Sequence, residues 1–228
     1  MAFYTADYTS LGVKPLPFNI VGTDPAKGAA TTTIPTVIVP IKIVYQTVGG
    51  VSLDGTNVVP AAKTRQHFLT ADYSAGTTDL GVTQYGDAIE RAQFWGLPTF
   101  LPNYHVPLGT PAIAPTVTLT VTSPSQGNLY LLRSGALLGV IAQSFLDPAI
   151  DALTASYPAN TLPIFLLDNV YESFSRAITP VLHSWLHAAQ AGPAVTAKTW
   201  IYAAYTEPGT FVNNVMVDVL ALRHEVAE

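Results

Sequence analysis

Asn213–Glu228, NNVMVDVLALRHEVAE, carries the strongest structural signal in the chain. The stretch contains no Gly or Pro, and the two asparagines that open it are suitable helix N-caps. Val215, Val219 and Leu222 recur at helical spacing and form an apolar face. The sequence therefore predicts a largely buried helix over residues 213–228, with Val219 and Leu222 in the core.

The end of this predicted helix has the pattern H-E-x-x-E, formed by His224, Glu225 and Glu228. In the related H-E-x-x-H motif of metal hydrolases, the two metal ligands share one helix face and the intervening Glu acts as general base. A carboxylate oxygen also ligates Zn²⁺, so Glu228 can replace the second histidine. This predicts His224 and Glu228 as zinc ligands and Glu225, about 100° around the helix, as the base. The alternative is a solvated helix end with no site.

His187 is predicted as a third metal ligand. His183 and His187 are four residues apart, and the spacing from Ser173 to Ala189 is typical of a helix interrupted by Pro180. A site shared between this helix and the H-E-x-x-E helix would take His187, or alternatively His183, as its third protein ligand. The alternative is a pair of partly buried histidines bonded to the backbone. The other two histidines, His67 and His105, are isolated in the sequence and are predicted to be structural.

The composition limits the class of protein. The chain has 228 residues, 49% of them hydrophobic, which is enough for one sizeable core. Only 11% are charged, well below the roughly 25% typical of soluble domains, which favours a secreted or periplasmic location. The net charge is −5 and the 10 basic residues are scattered, so nucleic-acid binding is not expected. We expect one domain over residues 1–228, incomplete at its C-terminal side because the predicted helix reaches the last residue.

Several chemistries and structures find no support in the sequence. There is no cysteine, so disulfides, thiolate metal sites and a cysteine nucleophile are excluded. There is no G-x-S-x-G elbow, phosphate-binding loop or dinucleotide fingerprint. No signal peptide is visible, and the longest apolar runs are too short to span a membrane. A carboxylate-pair glycosidase stays open, although no pair stands out among the 15 acidic residues.

Strands and helices alternate irregularly along the chain. Thr31–Gln46 reads as one long strand, bent or at a sheet edge because Pro35 and Pro40 interrupt it. Thr83–Trp95 reads as a helix, in which Asp87 and Arg91 form an i,i+4 pair that we interpret as structural. The remaining predictions are strands at Thr116–Thr122, Leu162–Asp168 and Thr199–Thr206, a hairpin of Gly127–Arg133 with the first of these, and a short helix at Pro148–Ser156. Ala136–Phe145 fits a buried strand or a helix.

The chain also resembles a family of poorly characterised secreted bacterial proteins. The segments that carry the resemblance are Thr32–Ile43, Asp54-Gly55-Thr56, Thr83–Trp95, Tyr104–Pro111, Leu162–Val170, Trp200–Phe211 and Leu220–Glu228. The family pattern ends in a helix similar to S-H-E-[IV]-A-E-W followed by Asp-Pro. More distantly, the chain is similar to the plant EXORDIUM-like, phosphate-induced proteins. The resemblance implies a metallopeptidase-like site, in which His224, Glu225 and Glu228 match the motif and His187 falls near a family histidine. Arg223 departs from the small residue that the family has before this His.

These observations predict an α+β, zincin-like fold with a mixed, twisted sheet and the motif on the C-terminal helix. The first functional hypothesis is a secreted zinc-dependent hydrolase of the peptidase kind, acting on a peptide or an extracellular polymer. In such enzymes an edge strand, here Thr199–Thr206, binds extended substrate by adding it to the sheet. The second hypothesis is a non-catalytic extracellular binding or cell-wall-associated protein that keeps a zincin-like scaffold.

Overall fold

The structure, a computed structural model, describes residues 3–6, 18–65, 67–75, 78–92, 102–173, 187–190, 199–211, 213 and 217–227. Its strands are β1 Phe3–Ala6, β2 Phe18–Val21, β3 Ala30–Thr31, β4 Thr36–Tyr45, β5 Val51–Asp54, β6 Thr70–Ala75, β7 Thr78–Gln84, β8 Tyr104–His105, β9 Ala112–Ile113, β10 Val117–Val121, β11 Gly127–Leu131, β12 Leu137–Ala142, β13 Leu162–Asp168, β14 Val170–Ser173, β15 His187–Gln190 and β16 Thr199–Tyr205. Its α-helices are α1 Val59–Lys63, α2 Tyr85–Ala92, α3 Gln143–Thr154 and α4 Leu220–Ala227. Short 3₁₀ helices cover Pro25–Lys27, Gln46–Val48 and Gly55–Val58.

A seven-stranded sheet forms the centre of the molecule. Its main order is β10-β4-β13-β16-β15, and β5 and β9 also pair with β4. The pairs β10–β4, β4–β13 and β13–β16 are parallel, whereas β15 is antiparallel to β16. The carboxyl ends of β4, β13 and β16 therefore meet at one edge of the sheet. Because strands of both directions and helices occur together, the predicted α+β class and mixed sheet are confirmed at this level.

The first long strand predicted from the sequence becomes the middle of this sheet. β4 is rich in Val and Ile, which favour a pleated, buried surface. The expectation of an edge strand is wrong, because β4 pairs with β13 as far as Pro40 and with β10 from Ile41 onward. The proline, which has no N–H to donate, thus falls where one ladder ends and another begins.

Both faces of the sheet are apolar, as expected for buried parallel strands. Alternate residues such as Val39, Ile41 and Phe165 form a first face, which packs against the three-stranded sheet β11-β12-β14 and helix α3. The intervening residues, such as Ile38 and Ile164, form a second face, which packs against α1, residues 104–108 and α4. All seven residues of β13 are buried, since both of its sides lie within a core.

Other expected elements are confirmed or corrected. The strands predicted at Thr116–Thr122, Leu162–Asp168 and Thr199–Thr206 are present as β10, β13 and β16. The hairpin predicted between β10 and β11 is wrong: β10 pairs in parallel with β4, while β11 pairs with β12. The ambiguous segment Ala136–Phe145 is strand β12 followed by the start of α3.

Two of the predicted helices begin elsewhere. The helix predicted at Thr83–Trp95 starts only at Tyr85, because Thr83 and Gln84 pair with β6, and residues 93–95 lie outside the described part. The helix predicted at Pro148–Ser156 is longer, as α3 runs from Gln143 to Thr154 with Pro148 inside it. No helix in the described residues is long and apolar enough to cross a membrane.

Candidate functional site

The predicted site residues lie on two elements that both contact β16. His224 and Glu225 belong to α4, which packs on β16, and His187 opens β15, where it pairs with Tyr202 of β16. The structure describes only the backbone of these three residues, and Glu228 lies outside the described part. The convergence of the four side chains on one metal ion thus stays a prediction.

Helix α4 is shorter than the sequence predicts. It begins at Leu220 rather than at residue 213, because Asp218 forms a β-bridge with Thr206 and has a positive φ of 64°. The two backbone hydrogen bonds of this bridge, each 2.8 Å, join Asp218 to Thr206 and keep Asp218 itself out of the helix. The apolar face was predicted correctly, since Val219 and Leu222 are both fully buried. His224 and Glu225 therefore follow directly on a turn that is anchored in the second-face core.

The helix predicted around His183 and His187 is wrong where the structure describes it. Ser173 ends strand β14, and residues 187–190 form strand β15 in place of the expected last helical turn. His183 lies outside the described residues. The predicted edge strand is also corrected, because β16 lies between β13 and β15 and is thus an inner strand.

A second helix supports α4 from the side. Gly86 of α2 lies against Val226 of α4, and a Cβ added at Gly86 would come within 2.9 Å of the Val226 side chain. Asp87, the next residue of α2, is buried and accepts hydrogen bonds from Thr83 Oγ1 at 2.6 Å and from the Val106 amide at 2.5 Å. It also contacts His105 Nδ1 at 3.3 Å. These bonds fix α2 to residues 104–106.

The start of α4 is surrounded by charged groups. Arg65 forms an ion pair with Asp218, directly before the helix. His67 is fully buried nearby, and its pKa is lowered to about 4, chiefly by burial and then by the positive charge of Arg223. Neither ring nitrogen of His67 has a hydrogen-bond partner of good geometry, although the Ala62 carbonyl is close enough to raise the pKa slightly. His67 is neutral at physiological pH and lies beside the helix that carries the predicted motif.

Asp168 is a buried acid that closes β13 at the carboxyl edge of the sheet. It is only 8% exposed, and its Oδ1 has no hydrogen-bond partner. Its pKa is raised to about 6, chiefly by burial and then by the negative charges of Glu207 and Asp54, while a hydrogen bond from Asn57 acts in the opposite direction. Asp168 was visible in the sequence only as the polar end of a buried strand.

The first face holds a carboxyl pair that the sequence did not reveal. Tyr202 donates to Glu172 Oε2 at 2.6 Å and lies 3.4 Å from Asp147 Oδ1. Glu172 is 2% exposed, and burial, followed by the negative charge of Asp147, raises its pKa to about 7. The three groups come from β16, β14 and α3, so no sequence spacing relates them.

The described side chains include no group of three or more His, Asp or Glu residues arranged to hold a metal ion. None of the four predicted site side chains is among those described. Comparison of the chain with protein-family models, with curated proteins and with solved structures finds no match.

Proposed function

We propose that this protein is a zinc-dependent hydrolase with a zincin-like site on α4, acting outside the cytoplasm on a peptide or another extracellular polymer. The observation that carries the proposal is the position of α4. The helix is anchored by buried Val219 and Leu222, continues through His224 and Glu225, and packs on the strand that neighbours His187. A helix fixed in this way would hold catalytic groups at constant positions relative to the sheet.

The donor set suits zinc. Imidazole nitrogen and carboxylate oxygen are ordinary zinc ligands, and a chain without cysteine has no softer donor. His224, Glu228 and His187 would hold the ion. His224 and residue 228 are one turn apart, and α4 is helical as far as Ala227. Bound zinc would lower the pKa of a coordinated water and polarise the carbonyl group of the substrate.

Glu225 would supply the proton transfer. A carboxylate next to the first ligand, but about 100° around the helix, need not coordinate the ion. It would accept a proton from the attacking water and hold it for the leaving amine. Since this role and metal binding belong to different residues, substitutions can separate the two.

Binding without catalysis is the second candidate. The solvent-facing positions of β10 and its ends, Thr116, Thr118, Thr120 and Thr122, are all exposed. This row of hydroxyl groups, on a chain with only 11% charged residues, would suit contact with an uncharged polymer such as a polysaccharide. An extracellular or cell-wall-associated protein could thus keep the scaffold without turnover.

Metal analysis of a series of variants tests the proposal. Zinc bound by the full chain at pH 7.5 would be measured by atomic emission, together with cleavage of a fluorescent casein substrate. We expect near-stoichiometric zinc in the wild type, loss of zinc in His224→Ala, and retained zinc with at least ~100-fold lower activity in Glu225→Gln, in line with general-base contributions.

His105→Asn is the matched control, because it removes a histidine that contacts Asp87 away from the motif. It should keep both zinc and activity. If the wild type binds no zinc above the level of His224→Ala, the hydrolase proposal is wrong and binding without catalysis is favoured. Activity in Glu225→Gln equal to that of the wild type would exclude Glu225 as the base.

A further inference from the structure

We propose that Asp168 is the anchoring group of a binding site for an organic cation, an ammonium or guanidinium group, at the carboxyl edge of the central sheet. This inference does not depend on the chemistry of α4. Ligands commonly bind at the carboxyl ends of parallel strands, because loops diverge there and leave a crevice. Asp168 is the last residue of β13, which has parallel neighbours on both sides.

The second face of the sheet is less covered toward its carboxyl edge than in its first half. Although α4 and α1 cover the first half of β4, Lys42 and Val44 in its second half are only partly buried. Their parallel neighbours on β10, Thr118 and Thr120, are exposed. Since residues in register share a face of the sheet, these side chains form an exposed surface next to Asp54, which pairs with Lys42 and is close enough to Asp168 to raise its pKa.

The carboxyl group of Asp168 has an unused acceptor. Asp168 is only 8% exposed, yet its Oδ1 has no hydrogen-bond partner, and its carboxylate accepts a hydrogen bond from the Asn57 side chain. A buried carboxylate oxygen without a donor costs roughly 1–3 kcal/mol or more, so a ligand that supplies an N–H group would be stabilised there. Asn57 itself is exposed and can move aside for such a donor.

The charge around Asp168 favours a cation. Glu207 and Asp54 are close enough to raise the pKa of Asp168 by their negative charge. The cation Lys42 pairs with Asp54 at 3.6 Å. The site thus has an excess of negative charge, which a ligand carrying a positive charge would reduce.

The cation expected is organic rather than metallic. The described His, Asp and Glu side chains include no group of three that could hold a metal ion, so Asp168, Asp54 and Glu207 do not form such a group. A buried carboxylate with one free oxygen fits a directional N–H donor, and guanidinium groups bind carboxylates through two such bonds. A lysine or arginine side chain of a peptide, or a free amine, has this chemistry.

Nuclear magnetic resonance titration of the full chain tests the proposal. The probes are methylguanidinium and n-butylammonium chloride, with tetramethylammonium as a cation that has no N–H donor and Mg²⁺ as a metal. We expect saturable shifts of the amide signals of Gly55, Asp168 and Asn169 with the first two probes only. Binding should be tighter at pH 8 than at pH 5, because the pKa of Asp168 near 6 leaves it ionised at the higher pH.

Substitutions identify the group responsible. Asp168→Asn, which keeps the shape of the side chain, should weaken probe binding at least tenfold, and Glu207→Gln about threefold. Asn57→Ala should bind the probes as tightly as the wild type or more tightly, which keeps the proposal testable if Asp168→Asn does not fold. Asp151→Asn, an exposed acid of α3, is the control and should change nothing. Equal binding by Asp168→Asn and the wild type, equal response to tetramethylammonium, or a stronger response to Mg²⁺ would each overturn the proposal. No enzyme activity enters the measurement, so its failure would leave the α4 proposal untouched.

Discussion

Replacing Gly55 by alanine is expected to destabilise the protein strongly, because the chain backbone leaves no room for a side chain there. A Cβ at this position would lie 2.0 Å from the Leu166 carbonyl oxygen and 3.0 Å from both the nitrogen and the oxygen of Ile41. All three atoms belong to the backbones of β13 and β4, which pair with each other at this level. The clash can be relieved only by moving a strand of the central sheet or the 3₁₀ helix that begins at Gly55.

The magnitude follows from the kind of atom in contact. Overpacking against side chains costs about 1–3 kcal/mol, and here the neighbours are backbone atoms that cannot rotate away, so we expect about 3 kcal/mol or more. For a chain of this length, 1 kcal/mol lowers the melting temperature by about 2–4 °C, which gives a decrease of about 6–12 °C. Thermal unfolding followed by circular dichroism at pH 7 measures this shift.

Gly86→Ala is the matched control for this substitution. Its Cβ would also meet an atom at a short distance, 2.9 Å, but that atom is Cγ1 of the Val226 side chain, which can change rotamer. Alanine also has a helix propensity about 1 kcal/mol better than that of glycine, which offsets the contact. We expect a change within about 1 kcal/mol. A Gly55→Ala melting temperature within ~2 °C of the wild type would mean that β4, β13 and Gly55 do not approach one another as described, and would refute the reasoning.

Three further results are expected. The pKa of Glu172 is raised from 4.5 to about 7 in the folded protein, so its contribution to the free energy of unfolding is complete below pH 4.5 and is lost as the pH rises to about 7. Glu172→Gln should remove this loss, which is roughly 3 kcal/mol and is measured by urea unfolding. His67→Leu should remove a loss of stability in the opposite direction. The lowered pKa of His67 stabilises the fold above about pH 6.5, and this contribution falls as the pH drops toward 4. Urea unfolding at pH 5 and pH 7 measures the difference, and a pH dependence equal to that of the wild type would contradict the prediction. Chelation with EDTA should change the melting temperature only modestly, because a core of this size does not require a metal, whereas collapse of the fold would indicate a structural ion.

The parts of the fold that the sequence predicted correctly are those with a strong local pattern. The continuous apolar run of β13 is buried on both sides, and the strict alternation of β10 gives one exposed and one packed face. Such patterns do not predict which strand pairs with which. β10 was expected to pair with the next strand along the chain, yet it pairs with β4, about 75 residues earlier by the register of Val117 with Ile41. Parallel pairing brings together distant segments and leaves no turn signal in the sequence.

Tertiary hydrogen bonds decided the boundaries that the sequence missed. Residues 213–219 have no helix breaker, but the backbone of Asp218 bonds to Thr206 on both sides of the bridge, so the helix starts at Leu220. Helix propensity is a weak preference of under about 1 kcal/mol per residue, and two backbone hydrogen bonds with a neighbouring strand exceed it here. The motif His224-Glu225 survives this shortening because it lies beyond the bridge.

The positions of the two buried acids, Asp168 and Glu172, are set by one sharp turn of the backbone that no sequence pattern predicted. Asn169 has a φ of 50°, and there the chain leaves the central sheet at Asp168 and enters the three-stranded sheet at Val170. Its side chain bonds to the Leu137 carbonyl and accepts from the Thr210 hydroxyl, which fixes the turn from both sides. Because of this crossing, Asp168 and Glu172, four residues apart, belong to different sheets and experience different partners. Asp168 meets Glu207, Asp54 and Asn57 at the carboxyl edge of the sheet, and Glu172 meets the phenol of Tyr202 inside the first face. The same short segment thus supplies an acid at the carboxyl edge of the central sheet and an acid that titrates within the core.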